Sequence, residues 1–344
     1  MQQAWRFEGG SPTPEPLSLD AALTLLHDGG AGTVWLDLAD PSVDDLHRID
    51  AVVGLGEFLL EDLREGAADA GQRTKLQQHG DLFHVAVRDC TVVGRRLVER
   101  EIDLVFGGGW LVSVRHHPES EPGPGGDPDP FPVEEVIRRL GAQCRHEHNL
   151  DEGFVLWAFL DVVTDRYLTI TDAIDERLDE AETRLLDDGE DGLSATRAGS
   201  PRELFDTGRL LTNFRHQVIP LREVVGALLR REDPSIGDPA ILHFRDVYDH
   251  LLGLTELVES QRDVLAGLRD VHLTVVSNQM NRSMQQLAAW GAILIVATLI
   301  TGVLGMNFRD QPNVSWHIGF LAVTGVIVVL AVPMYFFFRK RRWL

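Results

Sequence analysis

Cysteine is nearly absent: Cys90 and Cys144 are the only two in 344 residues. No disulfide framework and no Cys-x-x-C metal pair can organise this chain, and a reducing compartment is expected for its soluble part. Positive charge is also scarce. Against 53 Asp and Glu stand 32 Lys and Arg, a net charge of -21, which repels a phosphate backbone and excludes nucleic acid as an expected partner. The start of the chain shows no signal-peptide pattern. Before residue 287 no apolar run is long enough to cross a bilayer, and 44% hydrophobic with 25% charged residues excludes a disordered or collagen-like chain.

What is present is unevenly distributed. The last 58 residues carry Arg309, Arg339, Lys340, Arg341 and Arg342 against Asp310 alone, or +4, so the first 286 hold -25. Leu287 to Gly305 is nineteen residues without a charge, and Ile318 to Phe338 is twenty-one. Each has the length of a membrane-spanning helix. Arg339-Lys340-Arg341-Arg342 directly follows the second run, which places that end in the cytoplasm by the positive-inside tendency. Two spans return the chain to its starting side, so both termini are expected inside the inner (plasma) membrane, with only about Met306 to His317 outside.

The acidic part opens with alternating signals. Thr33 to Leu38, Leu82 to Val87 and the two runs within Glu101 to Arg115 read as strands, and Leu17 to His27 and Val43 to Ile49 as helices. A cytoplasmic α/β domain over 1–150 is expected. Residues 117–132 are too rich in Pro, Gly and acid for regular structure. His116-His117 and His146-Glu147-His148 do not share a helix face and read as solvated surface rather than metal ligands.

From 151 to 238 an acidic helical pair is expected. Its first helix, 151–186, carries Asp172, Asp175, Glu176, Asp179, Glu180, Glu182, Asp187 and Asp188, which is either a solvated face or a cation attractant. Its second helix starts on a Ser200-Pro201-Arg202-Glu203 capping box. A third helix runs from 239 to about 305, roughly 100 Å at about 1.5 Å per residue. Its cytoplasmic part, 239–286, places Phe244, Val247, Leu251, Leu254, Val258, Leu265 and Leu268 on one seam interrupted by Gln261, and self-association is expected to bury it.

A second stripe on this helix is small or polar through the bilayer: Asp270, Thr274, Ser277, Asn281, Met284, Ala288, Gly291, Ile295, Thr298, Gly302 and Gly305. Such a face must meet protein or water. Close helix packing explains the small residues, whereas the graded polar approach through Asp270, Ser277 and Asn281 favours a pore. In a pore, Asn281 and Thr298 offer weak oxygen sites to a hydrated cation, and Met284, Leu287 and Ile295 form an apolar stretch able to dewet.

The first span ends in Gly305-Met306-Asn307, before a short outer loop, a last span and a basic tail. With Trp35-Leu36-Asp37-Leu38, Leu60-Glu61-Asp62, Phe244 to His250 and Ser277 to Asn281, it makes the chain resemble the CorA family of divalent-cation channels. The resemblance implies an α+β architecture: a cytoplasmic α/β domain, long helices and a two-helix transmembrane hairpin, assembled as a funnel-shaped homopentamer. The spans would be 287–305 and 318–338, the outer loop 306–317 and the tail 339–344. It implies passive magnesium influx, with cobalt, nickel or zinc as further candidate ions, and no enzymatic chemistry. Gly305, Met306 and Asn307 would form the selectivity filter; Asn281, Met284, Leu287, Ile295, Thr298 and Gly302 would line the pore, with Asp270 at its inner mouth. Asp62 and Asp246 would hold a regulatory divalent ion between subunits, where the ion bridges carboxylates that otherwise repel. One departure is clear: the family's outer loop usually reads Met-Pro-Glu-Leu, and here it is Gln311-Pro312-Asn313-Val314. Arg309 offsets Asp310, so attraction of cations to the mouth should be weaker. The alternatives are a zinc transporter resembling ZntB and a membrane-anchored cytoplasmic sensor or scaffold that moves no ions.

Overall fold

The computed structural model describes residues 2–8, 14–30, 32–65, 74–116, 130–144, 150–191, 201–230, 237–306 and 316–343. In chain order the elements are β1(Gln2–Phe7), β2(Glu15–Leu17), α1(Leu19–His27), β3(Thr33–Ala39), α2(Val43–Val53), α3(Glu57–Glu65), β4(Lys75–His79), β5(Leu82–Val93), β6(Arg96–Gly107), β7(Trp110–Arg115), α4(Val133–Gln143), α5(Glu152–Asp191), α6(Pro201–Leu229), α7(Asp238–Leu304) and α8(Trp316–Lys340). Two compact units emerge: Met1–Ala181 with Pro201–Ala266, and Glu182–Ser200 with Gly267–Leu344.

In the first unit seven strands form one sheet in the order β2-β1-β3-β7-β6-β5-β4. Only β3 and β7 run parallel; every other neighbouring pair is antiparallel. Period-two alternation divides the side chains of β3 between the faces. Val34, Leu36 and Leu38 pack with Ala22, Leu46, Ile49, Leu59 and Leu63 from α1, α2 and α3. Trp35 turns the other way, stacks on Trp5 at 4.5 Å and meets the edge of Phe159 of α5 at 5.1 Å. Its indole nitrogen donates to Ser113 Oγ at 2.9 Å, and Asp37 accepts two bonds from Arg115 at 2.9 and 2.7 Å. Both faces are therefore covered, which is why these strands read as apolar runs.

Local chemistry sets the helix ends. Ser42 and Asp45 form a reciprocal capping box at the start of α2, and Gly54 ends it with φ of 73°, a left-handed conformation that favours glycine. The expected box at Ser200 lies partly outside the described residues.

The seam of the long helix is the main correction in the fold. Phe244, Val247, Leu251, Leu254, Val258, Leu265 and Leu268 are all buried within a single chain. The His243 ring lies 4.5 Å from that of Trp157 of α5, tilted by 37°, and Arg215 of α6 bonds Glu259 at 2.6 Å. Gln261, which interrupts the seam, is buried and donates to Thr171 O and Asp175 Oδ1, both on α5 and both at 2.9 Å. The polar residue thus ties two helices of one chain together, and the seam gives no ground for self-association. On α5, Asp172, Glu176, Asp179, Glu180 and Glu182 are exposed, as a solvated face requires, and Asp175 is half-buried; the side chains of Asp187 and Asp188 lie outside the described residues.

In the second unit, Trp290 of α7 meets Tyr335 of α8 with ring centroids 6.4 Å apart. Both helices are long and apolar enough to cross a membrane, with windows of mean hydropathy 2.3 and 2.4.

Candidate functional site

The stripe of small and polar residues lies along one continuous helix. Asp270, Asn281, Met284, Leu287, Ile295, Thr298 and Gly302 are all on α7, Gly305 directly follows it, and all are exposed in the single chain. Leu287 is 75% exposed and Ile295 68%. Thr298 donates its hydroxyl proton to Leu294 O at 2.8 Å, and Thr274 does the same to Asp270 O at 2.9 Å. With the proton committed to the helix backbone, the hydroxyl oxygen keeps lone pairs free to accept, and a cation or its hydration shell needs an acceptor. At Gly291 and Gly302 an added Cβ would meet nothing within 4 Å among the described residues, so no contact there requires their small size.

At the outer end, Gly305 N donates to Thr301 O at 3.0 Å and Met306 N to Val303 O at 3.3 Å, closing the last turn of α7. Asn307 lies outside the described residues. At the other end of this apolar stretch Asn278, Asn281, Arg282, Met284, Gln285, Ala288 and Trp343 line a cavity of about 570 Å³. Trp343 stacks on Phe338 at 5.6 Å, and the Arg341 guanidinium lies 5.6 Å above the Phe337 ring.

The two expected regulatory carboxylates sit on different elements. Asp62 is on α3 and half-buried, and its Oδ2 accepts from Lys75 Nζ of β4 at 2.9 Å. Asp246 is on α7 and exposed. Among the described residues no three His, Cys, Asp or Glu side chains converge on a metal-sized space. Hard carboxylate oxygens do suit magnesium, which keeps several waters and takes one or two carboxylates at a site. The donor set fits the ion only if a second chain supplies part of it.

Beneath α3 lies a buried charge network that the sequence reading missed. His84 is fully buried; its Nε2 meets Asp103 Oδ1 at 2.8 Å, and its Nδ1 lies 4.0 Å from Asp62 Oδ2 with no hydrogen-bond partner. His116 Nε2 approaches Asp103 Oδ2 at 3.4 Å, an ion-pair distance too poorly aligned for a good hydrogen bond. That corrects the expectation of solvated surface for His116, whose side chain is 11% exposed; His117 and His146 to His148 lie outside the described residues. Burial pushes the Asp103 carboxyl up, but the two histidines outweigh it and hold it below the ordinary range. Burial lowers His116, and Asp103, Glu101 and Asp40 together more than reverse that, so its imidazole is raised. Glu101 is different: burial and the Asp103 charge push it up to about 7, against the pull of Arg88, His116 and Lys75. A signal was available in the sequence. His84, Asp103 and Glu101 recur at alternate positions of two strands otherwise rich in apolar residues, and antiparallel pairing of those strands puts Ala86 opposite Asp103 and Arg88 opposite Glu101.

With this geometry in place, comparison with known proteins decides the family. The model of the CorA-like Mg2+ transporter protein family matches residues 30–340. The chain belongs to that family. The Thermotoga maritima cobalt/magnesium transport protein CorA is 29% identical over 312 residues, covering 88% of this chain and 82% of that protein. The complete structure of the CorA magnesium transporter from Methanocaldococcus jannaschii superposes with a TM-score of 0.75 at 21% identity, covering 100% of this chain and 99% of that one. That likeness supports the fold: an N-terminal α/β domain and long C-terminal helices. A Klebsiella pneumoniae zinc transport protein, ZntB, is more distant, at 24% over 196 residues, 56% of this chain and 57% of that protein. These relatives bear the names of transport proteins, not of enzymes.

Proposed function

We propose that the chain assembles as a homopentameric channel in the inner (plasma) membrane that passes magnesium inward down its electrochemical gradient, with cobalt or nickel as further substrates. The spans are 287–305 and 318–338, joined by the outer loop 306–317, with the N-terminal domain and the 339–344 tail in the cytoplasm. Copies of α7 surround the axis, and Asn281, Met284, Leu287, Ile295, Thr298 and Gly302 line the conduit. Asp270 lies at its inner mouth, and Gly305, Met306 and Asn307 make the outer filter. A neutral amide ring suits an ion that keeps its water, because carboxylates there would hold it too tightly to release.

Within this family, one observation carries the reading: the largely exposed oxygen-bearing and small-residue face of α7 continues from Asp270 to Gly302 on a single helix. A second concerns assembly. Val271, Leu273, Val276 and Met280 are 42%, 65%, 45% and 61% exposed, on the segment just before the span, where no lipid would cover them. Neighbouring copies would.

Reconstitution tests the proposal. Liposomes holding the full chain should take up magnesium, and Asn307→Ala should abolish that uptake or alter its ion selectivity. Absence of flux in both proteins would favour the tethered sensor, and unchanged flux in the variant would remove Asn307 from the filter. Preference for zinc over magnesium in competition would favour the ZntB-like alternative. Asp62 and Asp246 of neighbouring subunits bridge through a regulatory divalent ion that favours the closed state.

A further inference from the structure

We propose that Lys75 is a built-in counter-ion that a divalent cation must displace from Asp62, so that this lysine sets the magnesium concentration at which neighbouring subunits lock. The inference rests on the reading of Asp62 as a ligand between subunits. Lys75 opens β4, and its Nζ lies 2.9 Å from Asp62 Oδ2, with the two side chains 24% and 31% exposed. Among the described residues Lys75 is the only lysine or arginine bonded to this carboxylate. The same oxygen is backed by His84 Nδ1 at 4.0 Å, and that imidazole is fixed from its far side by Asp103. A divalent ion on either oxygen of this carboxylate would lie within a few ångströms of the ammonium and repel it, so metal and lysine compete for Asp62 and binding is favoured when the lysine moves off.

The displaced ammonium has a place to go. Strand register sets Lys75 opposite Ala86, Ala86 opposite Asp103 and Arg88 opposite Glu101, so Lys75 and Glu101 lie on one sheet face. Glu101 Oε2 accepts from Arg88 at 3.2 Å, whereas its buried Oε1 has no hydrogen-bond partner among the described residues. Lys75 already acts on that carboxyl electrostatically. This changes the physical account of the switch. In the metal-free chain Asp62 is not a bare carboxylate repelling its neighbour; it is neutralised in place, and the metal-bound state arises by exchange of one cation for another.

Limited proteolysis of the full-length protein in detergent across a magnesium titration tests this, read as the concentration giving half-maximal protection. Removing a unit charge next to a divalent ion in a half-exposed setting should lower that midpoint about tenfold in Lys75→Met. Lys75→Arg, which keeps the charge, should stay near the wild-type value, and Asp62→Asn should raise it. An unchanged or raised midpoint in Lys75→Met, with Asp62→Asn still raised, overturns the role of Lys75 and leaves the metal site standing. If neither variant moves the midpoint, the reading of Asp62 falls and the inference with it. Circular dichroism verifies folding, Lys75→Gln serves as the second variant, and loss of fold in both makes Lys75 a structural residue and refutes the exchange.

Discussion

Glu101 provides a test of the buried network that needs no assumption about transport. Its carboxyl is 5% exposed and is pushed from an ordinary 4.5 up to about 7, first by burial and then by Asp103. Below pH 4.5 both folded and unfolded chains hold the proton, and stability does not depend on this group. Between 4.5 and about 7 the folded chain keeps a proton that the unfolded chain has lost, so stability falls as pH rises. Above 7 the full cost is present, about 3 kcal/mol from the gap between the two values. Glu101→Gln keeps the shape and an acceptor for Arg88 but cannot ionise. The variant should match wild type at pH 4.5 and be more stable by about 2–3 kcal/mol at pH 8, a slowing of amide exchange of roughly 30- to 150-fold. Hydrogen exchange read by mass spectrometry on β5 and β6 of the full-length protein, corrected for intrinsic rates, measures this locally. His116 also titrates toward lower stability as pH rises, but it does so in both proteins, and the comparison removes most of its effect. Equal stabilisation at both pH values, or a loss of stability at pH 8, would refute the reasoning and mean that the Arg88 ion pair outweighs the desolvation of Glu101.

Two further predictions concern assembly and regulation. Asp246→Asn should raise the magnesium midpoint for protease protection several-fold; an unchanged midpoint in the full-length protein would remove Asp246 from the regulatory site. Leu273→Glu combined with Met280→Glu should shift the detergent-solubilised protein toward monomers in analytical ultracentrifugation, because both side chains are more than half exposed in the single chain; an oligomer of wild-type size would show that α7 is not the contact.

Much of the fold was legible wherever periodicity and breakers agreed. The helix expected over 239–305 is α7(Asp238–Leu304), and the strand expected from Thr33 to Leu38 is β3(Thr33–Ala39). Strands β1 and β4 were missed because Gln2–Phe7 and Lys75–His79 mix polar residues into short runs, and what places them is antiparallel pairing with β3 and β5. The seam from Phe244 to Leu268 was read correctly as a buried face but with the wrong partner. Periodicity reports that a face is covered and carries no information on whether the cover is α5 and α6 of the same chain. His116 failed for a related reason: a residue beside a proline-rich loop reads as surface until the sheet brings Asp103 next to it.

With the seam satisfied internally, any association through α7 must use its other sides, and their arrangement is informative. At about 100° per residue, Asp270, Thr274, Ser277, Asn281 and Ala288 cluster around one direction of the helix. Leu273, Val276 and Met280 cluster about a quarter turn to one side. Val271, Asn278, Arg282 and Gln285 lie about a quarter turn to the other, a mixed flank unlike the first. A two-fold dimer would use one patch against its own copy, and two unlike flanks have no role in it. A ring is different, because each copy must offer one flank to the neighbour ahead and the other to the neighbour behind. Of the two faces between such flanks one points at the axis, and in the proposed channel it is the one bearing Asp270, Ser277 and Asn281 rather than the opposite one bearing His272, Gln279 and Gln286. In the proposed ring, the apolar side chains exposed ahead of the span and the oxygen-bearing face beside them are two consequences of one geometry.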